Sequence, residues 1–450
     1  MDTNVVAAGL GVAIVLPWIR LAPSMRVTVP VLLLLGSVFS FALTGVGHVF
    51  ALIGSALRGA GLAILLVEVV KSRLRFNTCA RWLRGHARLV VWGGGLLVAL
   101  TAVRIFTATD GGDLPSAVNP WGLAFVAVTV LYWMDGTEEV QRWMGLDNAL
   151  PVLTAFASLV LLALMILVTA GVVAGNTEKV ALGAGGVGLA NTSTNETGAL
   201  AACLLLFNLR LLTRNRGPLV GLGVLALVAN LVVILLTRSR IAIGVAFLIV
   251  LIAGLGWASG NARRRWIVLL PVLLMFITAG VAIIKARSVA EVVQFGASGQ
   301  LSAVAFPGGE RAILWASYGS AFLNAVSRDP WLLLYGVGPP GLYRLYGASP
   351  LPTLGIAGEG MSFYPVHSDV LQTFFTLGVL GVACWGGILL GLLRTRLRPD
   401  RRAQGYAALL AFCGFFTVDM LQFIPILSSL LFLAFADAAD VAPAVGETRQ

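Results

Sequence analysis

The chain has 450 residues, 58% of them hydrophobic and 11% charged, with a mean hydropathy of +0.92. Soluble domains carry about 25% charged residues, so this composition excludes an ordinary water-soluble enzyme and implies a polytopic, all-α membrane protein. The net charge of +11 invites a nucleic-acid partner, but the basic residues gather in a few short loops, the positive-inside signature, and no nucleic acid is expected.

A membrane span needs about 20 mostly apolar residues. Taken in order, apolar runs predict spans near 4–19, 28–46, 48–70, 89–108, 119–134, 150–174, 198–212, 218–236, 241–257, 267–284, 369–393, 403–418 and 422–436. That makes about 12–13 transmembrane helices in a single membrane domain over 1–450, depending on whether the short end segments merge. The first run lacks a basic leader and a small-residue cleavage site, so it reads as the first span. The basic stretches are Arg20 and Arg26, Lys71 to Arg88, Arg210 to Arg216, Arg263 to Arg265 and Arg394 to Arg402. Placing each in the cytoplasm turns the loops near 109–118, 175–197, 237–240 and 285–366 to the other side. The 135–149 loop is acidic and falls inside by parity alone. A polar tail is expected over 437–450. Cys79, Cys203, Cys384 and Cys413 have neither metal-ligand nor redox spacing and read as packing residues.

The 175–197 loop is rich in Gly, Asn, Ser and Thr and is expected to be flexible; its Asn191 and Asn195 tripeptides fit glycosylation sequons, which arise often by chance. The long extracytoplasmic loop, 285–367, is different in kind. Pro307-Gly308-Gly309 breaks the chain, and Glu310 complements the dipole of a short helix reaching about Val326. Leu314, Tyr318, Phe322 and Val326 recur every four residues as one apolar stripe, with Arg311 one turn before Trp315. Asp329-Pro330 ends that helix. Tyr335 to Gly341 then forms a compact turn that needs glycine, and 347–363 reads as a loose lid.

Ionisable residues inside apolar spans are candidate functional groups. Arg58, Arg104 and Asp419 qualify; Arg58 and Asp419 are equally well read as members of structural pairs, and Arg104 as a snorkelling anchor. Arg238 and Arg240, at the start of the helix near Ile241, combine guanidinium groups with a helix amino terminus, a favourable place for phosphate oxygens, or serve as interfacial anchors. His367 has an unperturbed pKa of about 6.5, suited to a general base, although a lone histidine at a helix start more often caps or hydrogen-bonds. Asp369 is the expected cap of the following helix.

Several of these residues stand in a known order. Ser239-Arg240, Arg311-Ala-Ile-Leu-Trp315, Asp329-Pro330 leading into Gly336-Val337-Gly338, and His367-Ser368 followed after nine residues by Gly378-Val-Leu-Gly381 resemble the O-antigen ligase and O-antigen polymerase superfamily over about residues 218–395. The family pattern is His, then Asn, Ser or Gln, nine residues, Gly, two residues and a small residue. This chain has Ser rather than the commoner Asn, followed by Asp369. The resemblance implies a glycosyltransferase at the outer face of a bacterial inner membrane, using a glycan on undecaprenyl pyrophosphate and a lipid- or glycan-linked acceptor. It implies that Arg240 and Arg311 bind the pyrophosphate and meet the charge of the leaving group. His367 would orient or deprotonate the acceptor hydroxyl, with inversion and without metal or cofactor. Arg238, Arg104 and Arg344 are further candidates for phosphate contact. A ligase is favoured over a polymerase by the histidine pattern, and a protein O-glycosylating relative is a third branch. A transporter or flippase of a lipid-linked glycan is the alternative of another class. The chain shows no internal repeat of the kind many transporters carry. A structural scaffold is a third class.

Overall fold

The computed structural model describes residues 3–15, 25–44, 46–73, 87–107, 149–178, 186–189, 194–214, 217–258, 310–339, 341–349, 366–399, 401–418 and 425–439. These are mostly helical. In chain order the elements are α1 (Thr3–Val15), α2 (Met25–Ala42), α3 (His48–Arg73), α4 (Ala87–Thr107), α5 (Ala149–Thr169), β1 (Gly175–Glu178), β2 (Gly186–Leu189), α6 (Thr194–Arg214), α7 (Pro218–Thr237), α8 (Arg240–Ala258), α9 (Glu310–Arg328), α10 (Leu332–Tyr335), α11 (Gly341–Ala348), α12 (Asp369–Arg394), α13 (Arg402–Val418) and α14 (Pro425–Ala438). A helix stands at each expected apolar run that falls within the described residues; the runs at 119–134 and 267–284, and with them Asp419 and Cys79, lie outside. Among the described residues, three stretches can cross a membrane by length and composition, Leu150–Thr169, Pro218–Thr237 and Asp369–Arg394, accompanied by four shorter apolar ones, Val29–Ala42, His48–Ile64, Trp92–Arg104 and Ile241–Ile252.

The bundle is built around α6. Every residue from Ala199 to Phe207 is buried, as expected of a helix apolar on all sides, and α5, α7, α8, α13 and α14 surround it. α1 and α2 pack on α3, where Gly11 faces the Ala56 carbonyl and Gly59 the Ala8 carbonyl; only such small residues let two helix backbones approach so closely. α4 runs antiparallel to α12, Gly391 lying against Val90 and Gly93 against Cys384 and Ile388.

The stretch expected to be a flexible loop contains an antiparallel hairpin, with Gly175 opposite Leu189. β2 lies on α5, α6 and α7, Leu189 is buried, and its N–H donates to Thr197 Oγ at 3.1 Å. α6 begins at Thr194, earlier than its apolar run, so Asn195 sits in a helical first turn, where it accepts a hydrogen bond from Ser239 Oγ at 2.7 Å. Asn191 lies outside the described residues.

Two residues of the basic stretches are drawn into the bundle. Arg210 at the end of α6 and Arg401 before α13 both pair with Asp437 of α14; all three are buried, and Gln404 adds a bond to the same carboxylate at 3.3 Å. α14 therefore continues to Ala438, into the expected polar tail, because Asp437 is the counter-charge of the cluster. Arg58 lies over the Phe41 ring at 4.7 Å, and the charge of Glu196 at the start of α6 acts on it. Cys203 and Cys384 are buried and Cys413 half-buried.

Candidate functional site

Much of the long loop is a folded cap. The stripe on α9 buries Leu314, Tyr318 and Phe322, while Val326 packs at its edge; they meet Leu342, Leu345 and Tyr346 of α11, Val366, and Leu371, Phe374 and Phe375 of α12. Tyr318 stacks on Phe375 at 6.1 Å, and Phe322 lies 5.2 Å and 5.3 Å from Phe374 and Phe375. Burial pushes the Tyr346 phenol up. Where a loose lid is expected, α11 reaches Ala348 and Ser349 is buried; residues 350–365 lie outside the described region.

His367 follows this core directly. Val366 is fully buried and its carbonyl accepts the Trp315 indole N–H at 2.8 Å. His367 itself takes the left-handed conformation, φ 53°, at a cost of about 1–2 kcal/mol for a residue other than glycine; histidine tolerates this region better than most. The helix cap is Ser368, whose hydroxyl accepts from the Leu371 N–H at 3.3 Å. Asp369, the expected cap, is instead the buried first residue of α12, because the hydroxyl one position earlier already reaches that N–H. His367 thus stands one residue before the cap, half-buried. Arg311 is the second residue of α9, one turn before Trp315, so the indole bond ties its helix to the segment that carries His367. Below His367, Asp369, Gln372, Thr373 and Thr376 form a buried polar stripe on α12, which the apolar average of the segment conceals.

α12 breaks at Gly378, φ 65° and ψ −160°. A Cβ there would run into the Leu334 carbonyl and one at Gly336 into the Thr376–Leu377 backbone, so both positions need glycine for close approach as well as for dihedral freedom. Across this joint the Val337 N–H donates to Phe375 O at 2.9 Å and the Gly338 N–H to Thr376 O at 3.0 Å. Arg104 Nη2 donates to Gly336 O at 2.9 Å, and its guanidinium covers the Tyr335 ring at 4.6 Å. The Tyr335 hydroxyl in turn donates to Asp329 at 3.2 Å. Arg104 therefore fastens the cap to α4, a role its place near a span end does not disclose.

The other candidates sit elsewhere. Arg238 is exposed at the left-handed C-cap of α7, φ 51°, and Arg240 opens α8. Ser239 between them caps α8, its Oγ accepting from the Ala242 N–H at 3.3 Å while bonding Asn195; this turn packs against the start of α6, Gly198 lying against Thr237, Ser239 and Ala242. Arg344 is exposed on α11, opposite its buried Leu342 and Leu345. Among the described residues no group of three or more His, Cys, Asp or Glu side chains gathers as a metal cage. The sequence matches no protein-family model and no curated protein.

Proposed function

We propose that this chain is a membrane glycosyltransferase of the O-antigen ligase type, with 12–13 spans in a bacterial inner membrane and its site on the outer face. The observation that carries this reading is the bond from Trp315 to the Val366 carbonyl. It locks the helix bearing Arg311 to the strained turn bearing His367, an expense of conformation that usually accompanies a functional site. In this reading the His367 imidazole takes the proton of an acceptor hydroxyl. The acceptor oxygen attacks the anomeric carbon from the face opposite the pyrophosphate, the bond from carbon to phosphate oxygen breaks with inversion, and undecaprenyl pyrophosphate departs. Arg240 and Arg311 meet the negative charge that develops on the leaving oxygen, with Arg238 and Arg344 as supporting phosphate contacts. Arg104 acts through the cap it holds.

The test uses purified protein, an undecaprenyl-pyrophosphate-linked repeat unit and EDTA, with product size read on a gel for wild type and His367→Ala. Transfer to added lipid A-core that is lost in the variant supports the ligase. A ladder without that acceptor, also lost in the variant, assigns a polymerase. Normal product from His367→Ala removes the histidine from the chemistry. No product under either condition, together with movement of the lipid-linked glycan across vesicles, would instead identify a flippase.

A further inference from the structure

We propose that α10 and the turn after it form a re-entrant element seated in bilayer hydrocarbon on the His367 side, with the exposed apolar face of the cap turned to lipid acyl chains. This rests on α12 crossing the membrane, and not on the glycosyl transfer proposed above.

No charged residue occurs between Asp329 and Arg344. Within that interval Trp331 is 65%, Leu333 45% and Leu334 40% exposed, and Leu323 on the preceding helix is 65% exposed; α10 buries none of its residues. Apolar side chains of this size exposed within four consecutive residues, Trp331 to Leu334, mark an interaction surface. What covers them follows from depth and continuity. The Leu334 backbone lies against Gly378, and the 16 residues from there to Arg394 rise about 24 Å. Arg394, Arg396 and Arg398 mark the polar boundary below, and a hydrocarbon slab is about 30 Å thick. α10 thus docks inside the slab, short of its far edge. Directly beyond the joint, Val379 and Leu380 of α12 are also exposed, as are Leu390 and Leu393 further along the same helix, so the α10 patch continues the surface that a spanning helix offers to lipid.

Irregular backbone at that depth is tolerated only where its polar groups are satisfied by protein, and every N–H from Trp331 to Gly338 has a protein acceptor. The Gly336, Val337 and Gly338 N–H groups donate to Leu332, Phe375 and Thr376 carbonyls, Arg104 takes the Gly336 carbonyl, and Asp329 accepts from the Trp331 N–H and the Tyr335 hydroxyl. The joint is polar inward and apolar outward, as a membrane-dipping segment requires.

The test places nitroxide labels at Leu334→Cys, Arg344→Cys and Leu390→Cys, each in a full-length background whose four native cysteines are alanine, reconstituted in nanodiscs of phosphatidylethanolamine and phosphatidylglycerol. Collisional relaxation is compared for oxygen, which partitions into lipid, and a water-soluble nickel chelate. The Leu334 and Leu390 labels should relax several-fold more with oxygen, and the Arg344 label more with nickel. A Leu334 label as open to nickel as Arg344 overturns the proposal. One shielded from both agents overturns it too, because protein, such as a second copy of the chain, then covers the face. If the Leu390 label also meets water, α12 does not span and the proposal falls with it. Should Leu334→Cys fail to fold, Leu333→Cys carries the same comparison.

Discussion

His367 and Trp315 are residues whose local roles can be separated. Trp315→Phe keeps the ring but removes the N–H that the buried Val366 carbonyl accepts. The loss to stability should be about 1 kcal/mol, read from the thermal midpoint in detergent. If the bond positions His367, glycosyl transfer should fall by roughly 10- to 100-fold, the cost of a small misplacement; an equal, small effect on both readouts would make the bond purely structural. At Arg240 the conservative variant is the informative one. Arg240→Lys retains charge but loses the planar fork, so bidentate pyrophosphate recognition predicts that it fails in the transfer assay almost as completely as Arg240→Ala, whereas retained activity in the Lys variant points to charge alone.

The joint between α10 and α12 is the element on which the cap depends. Gly378 combines a positive φ with backbone contact to Leu334, so Gly378→Ala should cost at least about 2 kcal/mol. It should also expose the Asp329–Gly338 stretch to limited proteolysis, while the remainder of the bundle keeps its helical circular dichroism. A variant as resistant as wild type would mean that the joint contributes little to holding the cap. The spacing from His367 to Gly378 gains a physical sense from this: two and a half turns of helix carry the aromatic face against the cap, and the glycine then lets α10 dock before the helix resumes. In sequence the same glycine reads only as part of a pattern.

Across the whole molecule, the Arg210–Asp437–Arg401 cluster joins the end of α6, the α12–α13 connection and the end of α14 at one end of the bundle. The Arg104–Gly336 contact fastens the cap to α4. Asp437→Ala strips the counter-charge from two buried guanidinium groups and should destabilise by about 3–5 kcal/mol, with a lower thermal midpoint and a poor yield of folded protein. An unchanged midpoint would show that water reaches the cluster and that its burial is incomplete.

Helix positions, the apolar stripe of α9 and the glycine turn after Asp329 were all legible in the sequence, because hydropathy and periodicity act between residues a few positions apart. The cap of α12 was misassigned by one residue, since Ser368 and Asp369 both suit that role and only the backbone angles choose between them. The hairpin within 175–189 was missed because its strands are short and rich in glycine. Arg104 with Gly336 and Arg210 with Asp437 are 232 and 227 residues apart, and no local pattern encodes which buried charge meets which partner. Thus the sequence alone determined a mostly helical, apolar chain with basic connections and one long polar interval. Only the tertiary structure decided that much of this interval folds into an aromatic cap, that the cap is pinned to a broken helix, and that Arg210 and Arg401 meet Asp437 inside the bundle, because those outcomes depend on contacts between segments brought together by packing.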